Sequence, residues 1–379
     1  MRFQAVVMHK VGAPPAIETV EATPLRSTDV LVRNAASGLC HTDLEILQGA
    51  QRFPLPTVLG HEGAGIVEAV GAAVTQVRVG DHVICAHNTN CGHCFYCDNG
   101  HLLLCETFLR QVPKGFLLDG ESRLRQDGRV VYHSTMASSH AEYSVVPESL
   151  AVPVSKDIPL DRACLIACGV MSGVGAVTRE ARVRPGASVL VVGAGAVGLN
   201  VLQAARWVQA NPIIAVDLSA SKLALAERFG ATHVVNAGKE DALGRVRALT
   251  GGRGADYVFE AAGTESGMQL SVEAARPGAN VVLLGKVDPD HHVSFRWGSL
   301  KGEKRIVRSS YGGARPRQDF PWLAQMYLDG KLILDELINR RIGFADVVPA
   351  FAEMARGDVE TDRSELVRAV LVMNGASAR

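Results

Sequence analysis

Hydrophobic and polar positions alternate along this chain in two different textures. Through the first half, short apolar runs are broken by turns containing Gly, Pro and Asp, and residues 3–8, 29–35, 65–70 and 82–85 predict β-strands. Residues 106–140 carry polar turns without a clear period and predict a long loop. A strand over 141–146 and the onset of helical spacing in 157–165 follow. From Ser188 the texture changes. Residues 188–192 form an unbroken apolar strand, 193–198 read Gly-Ala-Gly-Ala-Val-Gly, and 199–208 repeat apolar residues at helical spacing. Strand-like runs at 212–216, 233–236, 256–260, 280–284 and 305–309 then alternate with helical segments at 219–229, 241–249 and 265–275. Strands joined by helical crossovers predict an α/β fold with a doubly wound parallel sheet. Beyond 311–313 the alternation stops: 319–329 and 348–356 predict helices, and 366–373 a strand. This tail is too short to stand as a domain. The expected division is therefore 1–169, 170–310 and 311–379, the last part returning to the first.

A length of 379 residues exceeds what one ordinary core accommodates, which supports two domains. Lys+Arg and Asp+Glu balance at 39 each, leaving no electrostatic basis for binding nucleic acid or an anionic membrane surface. The first residues lack an apolar run with a cleavage site, and no run reaches the ~18 consecutive apolar residues that span a bilayer. A cytoplasmic location is expected, and there the eight cysteines point to metal rather than to disulfides.

Cys40 and His61 offer a thiolate and an imidazole, which Zn²⁺ prefers, and Cys168 is the candidate third ligand. Asp43 and Glu62, beside them, are candidate acceptors for the imidazole N–H that faces away from a metal. Two thiolates, one imidazole and an open position describe a catalytic zinc. The competing reading is a buried, apolar-like Cys40 and a satisfied core His61. Cys91, Cys94 and Cys97 lie three residues apart and Cys105 eight further on, a spacing that suits a closed structural zinc, with a [4Fe–4S] cluster as competitor. Gly193, Gly195, Val197 and Gly198 lie between strand and helix, the context in which GxGxxG seats a pyrophosphate on the helix N-terminus. Asp217 ends the next strand, where a carboxylate accepts from a ribose 2′-hydroxyl and repels a 2′-phosphate, so NAD is expected rather than NADP.

On these residues the chain resembles the zinc-containing medium-chain alcohol dehydrogenases over essentially its whole length. The segment 106–140 is most similar to that of their dimeric branch, which includes glutathione-dependent formaldehyde dehydrogenase. The resemblance implies a Rossmann sheet plus a mostly β, GroES-like catalytic domain, two zincs per chain, and a homodimer acting on a small alcohol or carbonyl compound. It implies that Thr42 hands off the substrate proton, that Lys222 lies at the adenosine ribose, and that Arg368 contacts the pyrophosphate. His41 stands where some relatives carry an arginine on the pyrophosphate, and Glu45 where several carry the histidine that ends the proton relay. Gln51, His87, Ser134 and Thr135 replace residues that are usually apolar or aromatic, with Arg110 nearby, which implies a polar, anionic or aryl substrate. The alternative within this reading is a nicotinoprotein alcohol dehydrogenase or dismutase that keeps NAD(H) permanently bound. A non-enzymatic binding protein of the same fold would be expected to lose Cys40, His61 and Cys168.

Overall fold

The computed structural model describes residues 1–356 and 368–373, which form two units: 1–168 with 315–356 and 368–373, and 169–314. The first unit is mostly β. Its central strand, Asp29–Gly38, is buried at nine of ten positions and sits in a seven-stranded sheet. On one side it pairs antiparallel with Gly63–Val70, beyond which lie His82–Cys85 and Ala151–Pro153. Tyr143–Pro147 pairs with the early part of its other side, and Ala369–Val372 with the end, Val370 facing Gly38. Leu366 and Val367, the start of the strand expected at 366–373, lie outside the described residues.

A closed five-stranded barrel in the same unit joins Arg2–Met8, Ala16–Ala22, Leu124–Gln126, Arg129–His133 and Thr57–Val58. Alternate residues of the first strand, Phe3, Ala5 and Val7, pack against Val20, Val58, Leu124 and Val131, while Val6 and Met8 on its other face are buried as well. Each Val or Phe so buried contributes about 1.5–3 kcal/mol.

The barrel corrects the expected loop at 106–140. That segment holds a helix, Glu106–Gln111, and a hairpin whose turn is Asp127-Gly128, with φ of 49° and 77°. Two left-handed residues in succession match the right-handed twist of the flanking strands, so the segment folds back instead of wandering.

The second unit carries a six-stranded, all-parallel sheet in the spatial order His233–Asn236, Ile213–Asp217, Val189–Val192, Ala255–Glu260, Ala275–Leu283, Arg305–Arg308. In chain order that is 3-2-1-4-5-6, the doubly wound arrangement that opens a crevice beyond the strand ends where the order reverses. Helices Ala220–Arg228, Ala242–Leu249 and Glu265–Ala274 are capped by Ser219, Asp241 and Thr264, whose side chains accept the N–H groups of Lys222, Gly244 and Gly267. A helical stretch, Leu160–Glu180, is long and apolar enough to cross a membrane by length and composition. Its apolar window is 78% buried inside the protein, as expected of a core helix. It is not a regular α-helix: Ile166–Val170 and Ala176–Glu180 are π-helical turns.

Candidate active site

The central strand Asp29–Gly38 delivers the chain to Cys40, which caps the helix His41–Gln48. Asp43 turns back to close the helix start: its Oδ2 accepts the Cys40 N–H at 3.2 Å. Its Oδ1 accepts the Gly60 N–H at 3.1 Å and lies 3.2 Å from His61 Nδ1. One wholly buried carboxylate thus joins the helix start to the turn that carries His61. With Nδ1 engaged, His61 Nε2 points elsewhere; it is buried and has no hydrogen-bond partner. Ligand atoms of Cys40, His61, Glu62 and Cys168 all lie within 4.8 Å of one another. Cys40, His61 and Glu62 are buried and Cys168 is partly exposed, so the cluster is accessible on the Cys168 side. Cys168 falls in the π turn Ile166–Val170, an irregularity that recurs at functional sites in helices.

The charges around this cluster favour a cation at its centre. The two thiols share a hydrogen bond; with Cys168 donating, the Cys40 thiol is held well below its usual range, and Arg368 and His61 act in the same direction. Burial pulls the His61 imidazole down, but Asp43 and the Cys40 thiolate outweigh it and hold it well above. Burial pushes the Glu62 carboxyl up to about 8, against the pull of Arg368. Arg368, placed by Leu39 and the tail strand, donates Nη1–H to the Leu39 carbonyl at 2.8 Å and pairs with Glu62 at 3.0 Å. Thiols, an imidazole with an idle buried nitrogen and a carboxylate are the donor set of a zinc site, and the residues fit that ion. Glu62 stands among the possible ligands rather than behind them.

The other expected residues fall as follows. Thr42 is half-buried and His41 exposed in the first turn of the helix after Cys40. Glu45 accepts from Gln51 Nε2 at 2.6 Å, so these two side chains meet. The His87 ring stands edge-on to His61 with centroids 5.5 Å apart, and its Nδ1 donates to the Ala167 carbonyl at 3.1 Å. Ser134 is fully buried with a hydroxyl that has no partner, while Thr135 Oγ1 donates to the Ser134 carbonyl at 2.8 Å. Arg110 is exposed in the last turn of Glu106–Gln111, apart from these contacts.

Cys91, Cys94, Cys97 and Cys105 also converge, their sulfurs within 4.8 Å of one another, and all eight cysteines are free of disulfides. Four thiols with no other donor in the set fit a closed zinc site, as the spacing implied. Burial pushes the Cys97 thiol up to about 12. Burial acts the same way on Cys91, but the His93 N–H and the groups of Thr107 and Cys105 outweigh it and bring that thiol down to about 6.

In the second unit the turn after Val189–Val192 leads into the helix Ala196–Trp207, whose cap, Gly195, supplies no side-chain acceptor. Gly193 has φ 97°, and a side chain on Gly198 would meet the Gly193 carbonyl at 1.9 Å, so turn and helix pack backbone to backbone. Val197 is partly exposed in the helix's first turn, and Lys222 partly exposed after Asp217. Asp217 accepts the Ala194 N–H at 2.7 Å and the Ser219 N–H at 2.9 Å, so the carboxylate also holds the glycine turn in place. An uncapped helix N-terminus beside an anchored acidic residue fits a dinucleotide.

Two buried polar residues beside these sites are missing from the sequence reading. His140 stands 3.6 Å from Asp43, and Glu260 accepts the Ala262 and Gly263 N–H groups at the end of its strand. Neither belongs to a motif; only the fold reveals their neighbours.

Fold and sites together define a two-part oxidoreductase with a metal centre and a nucleotide sheet. The profile of the alcohol dehydrogenase GroES-like domain matches residues 26–156, and that of the zinc-binding dehydrogenases residues 196–329. The chain is 35% identical over 359 residues to an S-(hydroxymethyl)glutathione dehydrogenase from Aspergillus oryzae, covering 94% of each. Among solved structures it is similar to an alcohol dehydrogenase zinc-binding domain protein from Burkholderia ambifaria (TM-score 0.91, 35% identity, 98% of this chain and 99% of that one). It is likewise similar to benzyl alcohol dehydrogenase from Acinetobacter calcoaceticus (TM-score 0.91, 30% identity, 98% and 99%). The chain belongs to the zinc-containing medium-chain alcohol dehydrogenase family and is an enzyme of that class.

Proposed function

We propose that this enzyme interconverts an alcohol and its aldehyde or ketone by hydride transfer to NAD⁺, with one zinc held by Cys40, His61 and Cys168 and a second by Cys91, Cys94, Cys97 and Cys105. The observation that carries the reading is the convergence of Cys40, His61, Glu62 and Cys168 within 4.8 Å around an idle His61 Nε2. When bound, the zinc supplies Lewis acidity toward the substrate oxygen and the nicotinamide accepts the hydride. The chain's own groups position and deprotonate. Asp43 fixes the His61 ring through Nδ1, leaving Nε2 for the metal. Thr42 Oγ1 takes the substrate's hydroxyl proton. Glu45, three residues along the same helix, shares its face and is held by Gln51, so it can receive that proton farther out. Asp217 and Lys222 serve the adenosine ribose and His41 the pyrophosphate. Arg368 would join His41 only by loosening its pair with Glu62.

The substrate is polar, anionic or aryl. A pocket for aliphatic alcohols gains about 0.8 kcal/mol per buried CH₂. Ser134, which the family resemblance puts beside the alcohol, carries a buried hydroxyl without a partner, and such a group asks for a polar one. The relative named benzyl alcohol dehydrogenase supports the aryl reading. Edge strand Arg305–Arg308, exposed at all four positions and paired on one side, supports a homodimer built on that edge. Eight free cysteines suit the cytoplasm.

The test is NAD⁺-linked oxidation of plain and carboxylated benzyl alcohols of equal size, with metal analysis, in wild type, Ser134→Ala and Arg110→Ala. A polar pocket predicts that Ser134→Ala lowers kcat/KM for the polar substrates selectively. A charge-pairing Arg110 predicts selective loss of the carboxylated ones in its variant. Equal losses across both classes would refute the substrate reading, and absence of any NAD⁺-linked activity would refute the reaction.

A further inference from the structure

We propose that His140 is a positioning residue of the zinc centre, which shares the Asp43 carboxylate with His61 and so keeps His61 aligned on the metal. The proposal rests on the reading of Cys40, His61 and Cys168 as a zinc site. Asp43 has two faces. Oδ1 serves Gly60 N–H and His61 Nδ1, whereas Oδ2 accepts the Cys40 N–H at 3.2 Å and faces His140 Nε2 at 3.6 Å. His140 is fully buried, and its Nε2 makes no hydrogen bond, so the Asp43 carboxylate at 3.6 Å is the charged group it faces. Its Nδ1 lies 2.8 Å from Ser37 Oγ, which lies 2.7 Å from Ser139 Oγ.

These contacts select a tautomer. A lone pair on Nε2 would be repelled by the buried carboxylate, so the proton sits on Nε2. Nδ1 then accepts from the Ser37 hydroxyl, and Ser37 accepts from Ser139. The two serines thereby present a donor to Asp43. Room for the ring is built into the neighbouring turn. Gly60 has φ 98°, and a Cβ there would fall 2.2 Å from the His140 backbone nitrogen and 2.7 Å from its ring. Phe351 holds the ring from another side, with centroids 6.0 Å apart. At 3.6 Å the contact is too long to draw much charge away from His61, so its effect is orientational: it stops the carboxylate rotating off His61.

The experiment follows zinc release from the holoenzyme to a chromogenic chelator, with the four-cysteine site as internal control. His140→Phe keeps a ring against Phe351 but removes the donor; Ser37→Ala keeps the ring but frees the tautomer; His140→Gln restores an N–H. The catalytic-site phase should quicken about 3–10-fold in His140→Phe and less in Ser37→Ala, stay within about twofold of wild type in His140→Gln, and leave the slow phase unmoved. The double variant should release no faster than His140→Phe alone. In the Co²⁺-substituted enzyme the thiolate-to-cobalt band should shift with His140→Phe. An unchanged fast phase in folded His140→Phe, or a common acceleration of both phases, overturns the proposal. If that variant fails to fold, an unchanged fast phase in Ser37→Ala overturns it. A wild-type chain holding only the four-cysteine zinc would instead overturn the catalytic-zinc reading itself.

Discussion

Replacing Asp217 by Asn removes a charge and almost no volume. The carboxylate ties the Ala194 N–H of the glycine turn and the Ser219 N–H to the end of its strand, and offers negative charge where a ribose is proposed to sit. Two unit charges about 4 Å apart interact by about 4 kcal/mol at an effective dielectric of about 20. Asp217 is partly exposed, so solvent screening brings the repulsion of a 2′-phosphate to about 2–3 kcal/mol. Asn abolishes that repulsion and also weakens the bond to an NAD⁺ 2′-hydroxyl, since a charged acceptor is worth about 1.5–3 kcal/mol. Both effects favour NADP⁺ relative to NAD⁺, so the ratio of their dissociation constants should fall by about 100-fold or more. Asn accepts through one oxygen only and so keeps one of the two turn bonds, whereas Asp217→Ala removes both. The Ala variant should bind both nucleotides about 3–10-fold more weakly than the Asn variant, as the further bond lost is worth about 1 kcal/mol. Calorimetric titration of wild type and both variants with each nucleotide, at one fixed ionic strength, measures all six constants. Wild type that binds both nucleotides equally, or an Asn variant with an unchanged ratio, would refute the assignment of Asp217.

Metal analysis should find two zincs per chain, with mild chelation removing one and abolishing activity; Cys97→Ser should lower solubility and thermal stability, because it opens a closed site. Finding one zinc or none in active enzyme contradicts this. Light scattering should give about 80 kDa, twice the 40.3 kDa chain, and Ile306→Lys on the exposed edge strand should shift it toward the monomer; an unchanged mass would move the interface elsewhere. Burial, reinforced by repulsion from Arg123 and Arg125, pulls His133 down to about 3. The unfolded chain binds that proton near 6.5, so the folded state is fully favoured above that pH and loses about 1.4 kcal/mol per unit as pH falls toward 3. Urea titrations across that range should show a flatter acid limb in His133→Gln than in wild type; identical limbs would remove His133 as the cause.

What the sequence shows depends on how local the determinants are. The nucleotide sheet was legible because its strands are continuous apolar runs and its helices start at capping residues such as Asp241 and Thr264. The four-cysteine cluster was legible from chemistry alone, since few roles other than holding a metal draw Cys91, Cys94, Cys97 and Cys105 into so short a stretch. The hairpin around Asp127-Gly128 carried its own signal, which the polar residues around it masked. The strand Ala16–Ala22 has a single buried residue, Val20, and its period is correspondingly weak. His140 and the Arg368–Glu62 pair could not be read. Arg368 reaches a carbonyl 329 residues away in sequence, and such meetings are set by the barrel and the returning tail rather than by any local pattern.

The π turn at Ile166–Val170 gives the third sulfur an unusual vulnerability. Such a turn is an α-helix with one surplus residue, and each helical residue accounts for about 100° of rotation and about 1.5 Å of rise. Loss of one codon within it would let the helix close up into regular register. The backbone would gain better-formed hydrogen bonds, while Cys168 swung by roughly a quarter turn away from Cys40 and His61. Such a chain would still encode every ligand and fold with a tidier helix, yet have no zinc site to close. On the proposed ligand set, the zinc site would therefore depend on residue number in a helix as well as on residue identity, and a frame-preserving deletion there would draw Cys168 out of the cluster without removing any cysteine.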